Sequence, residues 1–181
     1  MREDLEEMLF RWVEARHGEP AVRRRVTRAL RLAIRAAIVE RERLGTERLF
    51  SQLEAAAGRW ARWRAPRLAR ALGVDSSDMR ELGRIQDWED ELLGVTGHWT
   101  KESATCATKH ETACPFSDLA SREPRVCTGL AHTLEVETFR ALRPDYRLVP
   151  LTRLLSRGDD RCDFRHELGA SSARSASDGA E

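Results

Sequence analysis

The hydrophobic pattern of the chain changes its period at Gly94. Before this residue, apolar side chains recur every three or four positions, which is typical of amphipathic helices. After it, a threonine-rich stretch alternates as strands do. Helices and strands in separate blocks favour an α+β domain with an antiparallel sheet. We therefore predict one domain, residues 1–168, with a helical part (1–93) packed on a sheet-bearing part (94–168), followed by a disordered tail (169–181).

The helical part is predicted to contain four helices, bounded by glycine, proline and capping residues. Their predicted ranges are Leu5 to Val13, Val22 to Arg43, Thr46 to about Leu72, and Ser76 or Ser77 to Leu93. The apolar stripe of the second helix is formed by Val26, Leu30, Ala33, Ala37 and Ile38. Its basic start, Arg23-Arg24-Arg25, is a phosphate contact or a solvated face, and we favour the solvated face.

The sheet-bearing part is predicted to hold two hairpins joined by a helix. The first hairpin covers Val95 to Ala113 and turns near Glu102 to Ala104, and the connecting helix lies within Asp118 to Leu142, after Pro124. The second pairs Tyr146 to Leu155 with Arg161 to Leu168 around a glycine- and aspartate-containing turn. The sheet is therefore expected to be small and antiparallel.

Composition excludes several classes of partner. The net charge of +1 gives no overall attraction to nucleic acid or to anionic membranes. No segment approaches the roughly 18 apolar residues that a membrane helix needs. The acidic first residues, Met1 to Asp4, do not resemble a signal peptide. We therefore expect a cytoplasmic protein without nucleic-acid or membrane partners, in which the cysteines are reduced.

The four cysteines are confined to the sheet-bearing part, between Cys106 and Cys162. We expect Cys114, Cys127 and Cys162 to meet at one corner of the sheet, because elements adjacent in sequence tend to be adjacent in space. Such a group could bind a metal, act as a nucleophile, pack as small apolar side chains or form a disulfide. These alternatives remain open, since no C-x-x-C pair supplies a strong zinc signature. Cys106 is expected only to pack.

Histidine and aspartate residues near these cysteines are further candidates. On an uninterrupted strand His110 would share a face with Cys106 and Cys114, where it would be a ligand, a base or a surface histidine. His110 and His132 are the nearest histidines that could complete a tetrahedral zinc site with the three cysteines. Asp159 could activate water or orient a cysteine, although a hairpin turn also explains an aspartate at this position.

The cysteine-bearing motifs resemble those of the family named for L-2-amino-thiazoline-4-carboxylic acid hydrolase. They are Cys114-Pro115-Phe116, Cys127 after a short acidic and proline-bearing loop, and Gly158-Asp159-x-x-Cys162-x-Phe164, and the resemblance covers roughly residues 20–168. The C-terminal layout is also similar to 4-vinyl reductase type small-molecule-binding domains, some of which bind zinc through cysteines. The stretch Leu151 to Leu155 lacks the glutamate and cysteine that those domains carry there.

The resemblance implies a hydrolase that opens a small cyclic amidine or thiazoline by adding water at the carbon between nitrogen and sulfur. A metal-bound water or a cysteine thiolate would carry out the attack. The implied catalytic residues are Cys114, His110 and Asp159; the implied substrate contacts are Trp99, Arg125 and Arg161; and the implied zinc ligands are Cys114, Cys127, Cys162 and His132. The alternative is a small-molecule sensor with a structural zinc. Zinc is the one cofactor implied, and homo-oligomers are compatible with the pattern.

Overall fold

The computed structural model describes residue 8 and residues 11–12, 15–149 and 152–169. These residues form a helical layer packed on a four-stranded antiparallel sheet, which confirms the predicted α+β class. Most of the first predicted helix, residues 150–151 and the tail from residue 170 lie outside the described residues. Met8 and Trp12 are helical, and a turn at His17 and Gly18 precedes the next helix.

Three long helices form the N-terminal layer: α1 (Pro20–Leu44), α2 (Thr46–Leu72) and α3 (Met79–Leu93). Proline at the first position of α1 fits the helix start, because that position needs no N–H donor. Gly73 and Gly94 end α2 and α3 in the left-handed conformation. The cap of α3 is not one of the two predicted serines, because the carboxylate of Asp78 accepts the hydrogen bond from the Arg80 N–H.

The connection after the first hairpin is not one helix. It contains α4 (Ser117–Arg122), a π-helix (Val126–Ala131) and α5 (His132–Arg140). Pro124 causes the break, since it disfavours helical backbone at the preceding residue, and Glu123 is extended at φ −142 and ψ 94. Among the described residues, no helix is both long enough and apolar enough to span a membrane.

The sheet consists of β1 (Thr96–Lys101), β2 (Cys106–Ala113), β3 (Tyr146–Leu148) and β4 (Cys162–Leu168), in the order β1-β2-β4-β3. The first hairpin turns where the sequence predicts. The second is looser than predicted, because β3 ends at Leu148 and a 3-10 turn (Leu155–Arg157) precedes β4. Gly158 follows that turn at φ +90, a conformation that favours glycine.

The main hydrophobic core lies between α2, α3, α5 and the inner face of the sheet. Its fully buried members are Leu68, Met79, Leu82, Ile85, Ala107 and Phe139, together with Tyr146. A smaller cluster, Phe50, Ala120 and Val126, is covered by Ile34 and Ile38 of α1. The two clusters fix the helices over the sheet and leave one side of α1 facing outward.

Candidate functional site

The inner face of β2 carries a buried lysine. The Lys109 side chain is 2% exposed, and its ammonium lies 2.7 Å from Asp87 Oδ1 and 2.9 Å from Asp90 Oδ2, both on α3. It also lies 5.2 Å from the ring centroid of Trp99, whose indole N–H donates to Asp87 at 2.7 Å. The side chains of this network form the floor of an open groove of about 680 Å³ between α3 and β1.

Burial and charge shift the pKa values of this network in different directions. Burial raises the pKa of Asp90 to about 6 against the attraction of Lys109. Burial lowers the pKa of Lys109, but Asp90 and Asp87 outweigh it, and the net shift is upward. Glu111 is next along the inner face, and burial together with the Asp90 charge raises its pKa to about 8. Lys109 is therefore charged at neutral pH, while Glu111 is mostly protonated.

A second polar set lies deeper in the core. His166 is fully buried; its Nδ1 lies 2.9 Å from the Tyr146 hydroxyl, and its Nε2 lies 3.4 Å from Glu135 Oε1. Burial and the nearby charge of Lys109 lower the pKa of His166 to about 3. Burial raises the pKa of Glu135 well above its usual range. His166 is therefore neutral at pH 7, and the raised pKa of Glu135 favours its protonated form, which reduces the cost of burying the two side chains.

The thiols of Cys114, Cys127 and Cys162 lie close enough to influence one another electrostatically. Burial raises the pKa of Cys114 to about 12, with smaller contributions from Glu111 and the other two thiols. Burial likewise raises the pKa of Cys162 to about 12, and its sulfur accepts a hydrogen bond from the Leu155 N–H at 3.3 Å. Such thiols stay protonated at neutral pH, which makes them poor nucleophiles.

The structure contradicts the predicted cysteine cluster as a set of metal ligands, whereas zinc as a cofactor stays a prediction. All four cysteines are free. Within residues 15–149 and 152–169 and the few described before them, no three His, Cys, Asp or Glu side chains are grouped so as to hold a metal ion. Cys127 is held in the π-helix, where burial raises its pKa and the Ser156 side chain contacts it. The three sulfurs approach one corner, as proximity in sequence suggested, but without the arrangement of a ligand set.

The structure places the other predicted catalytic and metal residues in local contacts or at the start of a helix. His110 lies on the opposite face of β2 from Lys109, and its Nδ1 is 2.7 Å from Asp163. The Asp159 carboxylate accepts a hydrogen bond from the Leu154 N–H at 2.7 Å and so holds the turn before β4. His132 begins α5, where burial lowers its pKa.

The predicted substrate contacts are engaged within the protein. Trp99 packs over Lys109 and is tied to Asp87, as described above. The Arg125 guanidinium lies 2.8 Å from Glu54 on α2. The Arg161 guanidinium lies 2.8 Å from Asp163 within the same hairpin. These arginines therefore stabilise local structure in the described state.

The outer side of α1 is a feature that the sequence patterns above did not single out. Arginines recur there at i, i+4, i+7 and i+11, as Arg24, Arg28, Arg31 and Arg35. They line a groove of about 540 Å³ whose other wall includes Leu93, Gly94 and Pro115. Arg31 is paired with Asp118 at 2.8 Å. Arg24, Arg28 and Arg35 are turned towards solvent, so the groove has a positive rim.

An apolar stripe runs beside this arginine row. Its members share the spacing i, i+3, i+7, i+10 and are Ala29, Leu32, Ala36 and Val39. Leu32 is 55% exposed and Val39 74% exposed. The stripe lies opposite Ile34 and Ile38, which cover the smaller core cluster. The helix is therefore apolar on two opposite sides, one packed and one exposed, and the sequence signal for the exposed side is the second apolar period in α1. We call this stripe and the arginine row the outer face of α1.

Comparison with known proteins relates the chain to others through its fold. No protein-family model matches the sequence, and no curated protein matches it. The structure is similar to that of trafficking protein particle complex subunit 3 from Naegleria fowleri, solved covalently bound to palmitic acid. The TM-score is 0.59 at 12% sequence identity, over 81% of this chain and 97% of that chain. At this identity the likeness establishes a shared fold.

These comparisons contradict the predicted function. The similar solved structure is a subunit of a trafficking complex, whereas the motifs of the sequence predicted a thiazoline hydrolase. The alternative, a sensor module with a structural zinc, is equally unsupported, since the described residues contain no metal-binding group. The motifs that suggested the hydrolase and the sensor are short. In the structure their residues form turns and strands, and their thiols are largely buried.

Proposed function

We propose that the protein is an assembly subunit that acts by binding another protein chain through the outer face of α1. The observation that carries the proposal is that Leu32 and Val39 are exposed in the apolar stripe of α1, while the opposite side of the same helix packs on the smaller core cluster. Large apolar side chains in an ordered row on a surface mark an interaction site more often than scattered ones do. The trafficking subunit of similar fold is itself part of a multi-protein complex, which supports an assembly role.

The charges of α1 indicate the chemistry of the partner. Residues 20–39 contain six arginines and no carboxylate. A partner that covers the apolar stripe must therefore place acidic groups beside the arginine row, as an acidic amphipathic helix would do. Such a partner would bury apolar area and neutralise the positive rim of the groove.

A photo-reactive residue placed at position 39 tests this proposal. In native extract, we expect the residue at position 39 to form an adduct of one defined mass with a protein. The matched control is position 44, because Leu44 is 43% exposed on the same helix but outside the stripe. Reversal of Arg28 and Arg35 to glutamate should weaken the adduct. Equal adducts at both positions, or none at position 39, would refute the assignment of this face.

A further inference from the structure

We infer that the segment that covers the outer face of α1 is residues 1–14 of a second copy of this chain, exchanged reciprocally between two copies. This inference rests on the proposed function and names its partner. It begins with the distribution of exposed apolar side chains. Among the described residues, all the large exposed ones lie within the first 60 positions: Met8, Trp12, Leu30, Leu32, Val39, Leu44 and Trp60.

Met8 and Trp12 form a second uncovered apolar surface. They are 59% and 42% exposed, they are helical, and they are four positions apart, so they lie on one side of a helix. In sequence, Leu5 and Leu9 fall at positions that extend the same stripe. The described part of the chain thus carries two uncovered apolar surfaces, Met8 with Trp12 and the stripe on α1.

The charges of the two surfaces are complementary. Residues 1–14 contain five carboxylates (Glu3, Asp4, Glu6, Glu7 and Glu14) against two arginines. Residues 20–39 contain six arginines and no carboxylate. Direct contact between the α1 helices of two copies would bring like charges together, whereas an acidic segment laid on α1 removes that repulsion. The N-terminal segment therefore has the composition that the outer face requires.

The turn between the two segments favours exchange over folding back on the same chain. Arg23 donates hydrogen bonds to the carbonyls of His17 at 3.0 Å and Gly18 at 2.9 Å. The His17 ring packs 5.2 Å from that of Trp88 on α3. With this turn anchored, Met8 and Trp12 stay exposed while Leu32 and Val39 of the same chain also stay exposed. A two-fold pair covers both stripes at once, with one segment on each partner's α1.

A charge-swap experiment on the full chain tests the exchange. One variant carries Arg28→Glu and Arg35→Glu, and the other carries Glu3→Arg and Glu7→Arg. Each alone should be monomeric by light scattering at a concentration where the parent is dimeric. An equimolar mixture should recover the dimer mass, because each segment then meets a helix of opposite charge on the other copy. Recovery only in the mixture distinguishes exchange between copies from contact within one chain.

Three further measurements separate exchange from other contacts. Circular dichroism should show that the variants keep the helix content of the parent, since Arg28 and Arg35 are exposed, while their melting temperatures should be lower because the dimer is lost. Trp12→Glu alone should also give a monomer, whereas Leu44→Glu should leave the dimer intact. The photo-adduct from position 39 should map to residues 1–14.

A parent that is monomeric, a mixture that stays monomeric, or a monomer that binds anionic vesicles would overturn the exchange. An adduct to a different protein would overturn it while leaving the proposed function in place.

Discussion

The ammonium of Lys109 lies 2.9 Å from Asp90 Oδ2 in the contact between the sheet and α3. The lysine side chain is 2% exposed and the aspartate 12%, so water does little to screen their attraction. The pair joins the strand that carries Glu111 to the helix that leads into β1. The interior charges of this protein therefore help to hold the sheet and the helical layer together.

Replacement of Lys109 by methionine should destabilise the fold strongly. It leaves Asp90 buried without its counter-charge, and loss of one partner of a buried pair costs about 3–5 kcal/mol. Urea unfolding of parent and variant measures the difference in the free energy of unfolding. The matched control is Arg165→Met, because Arg165 is 47% exposed and its pair with Glu102 lies at the surface. The control should cost less than about 1 kcal/mol; equal losses would contradict a structural role for the buried pair.

Replacement of Glu111 by glutamine should stabilise the protein at alkaline pH. The pKa of Glu111 is raised to about 8 in the folded state, whereas it is near 4.3 in an unfolded chain. The folded state therefore holds more protons between these values, and stability falls as the pH rises from about 4.3 to 8. Glutamine resembles the protonated form and should flatten this dependence. A tenfold difference in proton affinity between the two states corresponds to about 1.4 kcal/mol, so the gain at pH 8 should exceed roughly 1 kcal/mol.

Thermal melts from pH 5 to pH 9 measure this effect for parent and variant. The two curves should be close at pH 5 and diverge as the pH rises. A parallel pair of curves would mean that Glu111 is already ionised in the folded protein at neutral pH.

Replacement of Tyr146 by phenylalanine should weaken the core. The Tyr146 hydroxyl lies 2.9 Å from His166 Nδ1 with both side chains buried, so its removal leaves a buried ring nitrogen without its partner. We expect a loss of about 1–3 kcal/mol in the free energy of unfolding. Chemical denaturation measures it, and histidine NMR should show a changed His166 environment. A neutral result would indicate that another group satisfies this nitrogen.

The thiols should react slowly in the folded protein. The pKa values of Cys114 and Cys162 are raised to about 12, so few thiolates exist at pH 8. A disulfide reagent should titrate four thiols after unfolding, and peptide mapping should show Cys114 and Cys162 unmodified in the native protein at early times. A native thiol that reacts faster than free cysteine would contradict the buried, protonated state.

The fold class could be predicted from the sequence because the period of the hydrophobic pattern is a local property. The inner face of β2 could not be identified from the sequence, because the candidate residues Cys106 and His110 lie on the even-numbered side. Lys109 and Glu111, on the odd-numbered side, face the core. A buried lysine is uncommon, and only its tertiary partners on α3 make its burial possible.

The candidate site could not be predicted from the sequence for a different reason. Three cysteines near one corner indicated chemistry, but distances and pKa values depend on side-chain packing that no spacing rule provides. The second apolar period of α1 was visible in the sequence. It does not by itself identify a site, because the first stripe, including Ile38, already accounts for the helix and the arginines favour a solvated surface.

Val39, at 74% exposure, is the most exposed of the large apolar side chains in the described part of the chain. A copy that lacks its counterpart keeps that side chain in water, where chaperones and quality-control proteases recognise such surfaces. With a second copy as that counterpart, as inferred above, the paired fraction rises with concentration, so the half-life of the protein in the cell should increase with its rate of synthesis. Unpaired copies would be cleared, and degradation would set the lowest concentration at which the pair persists.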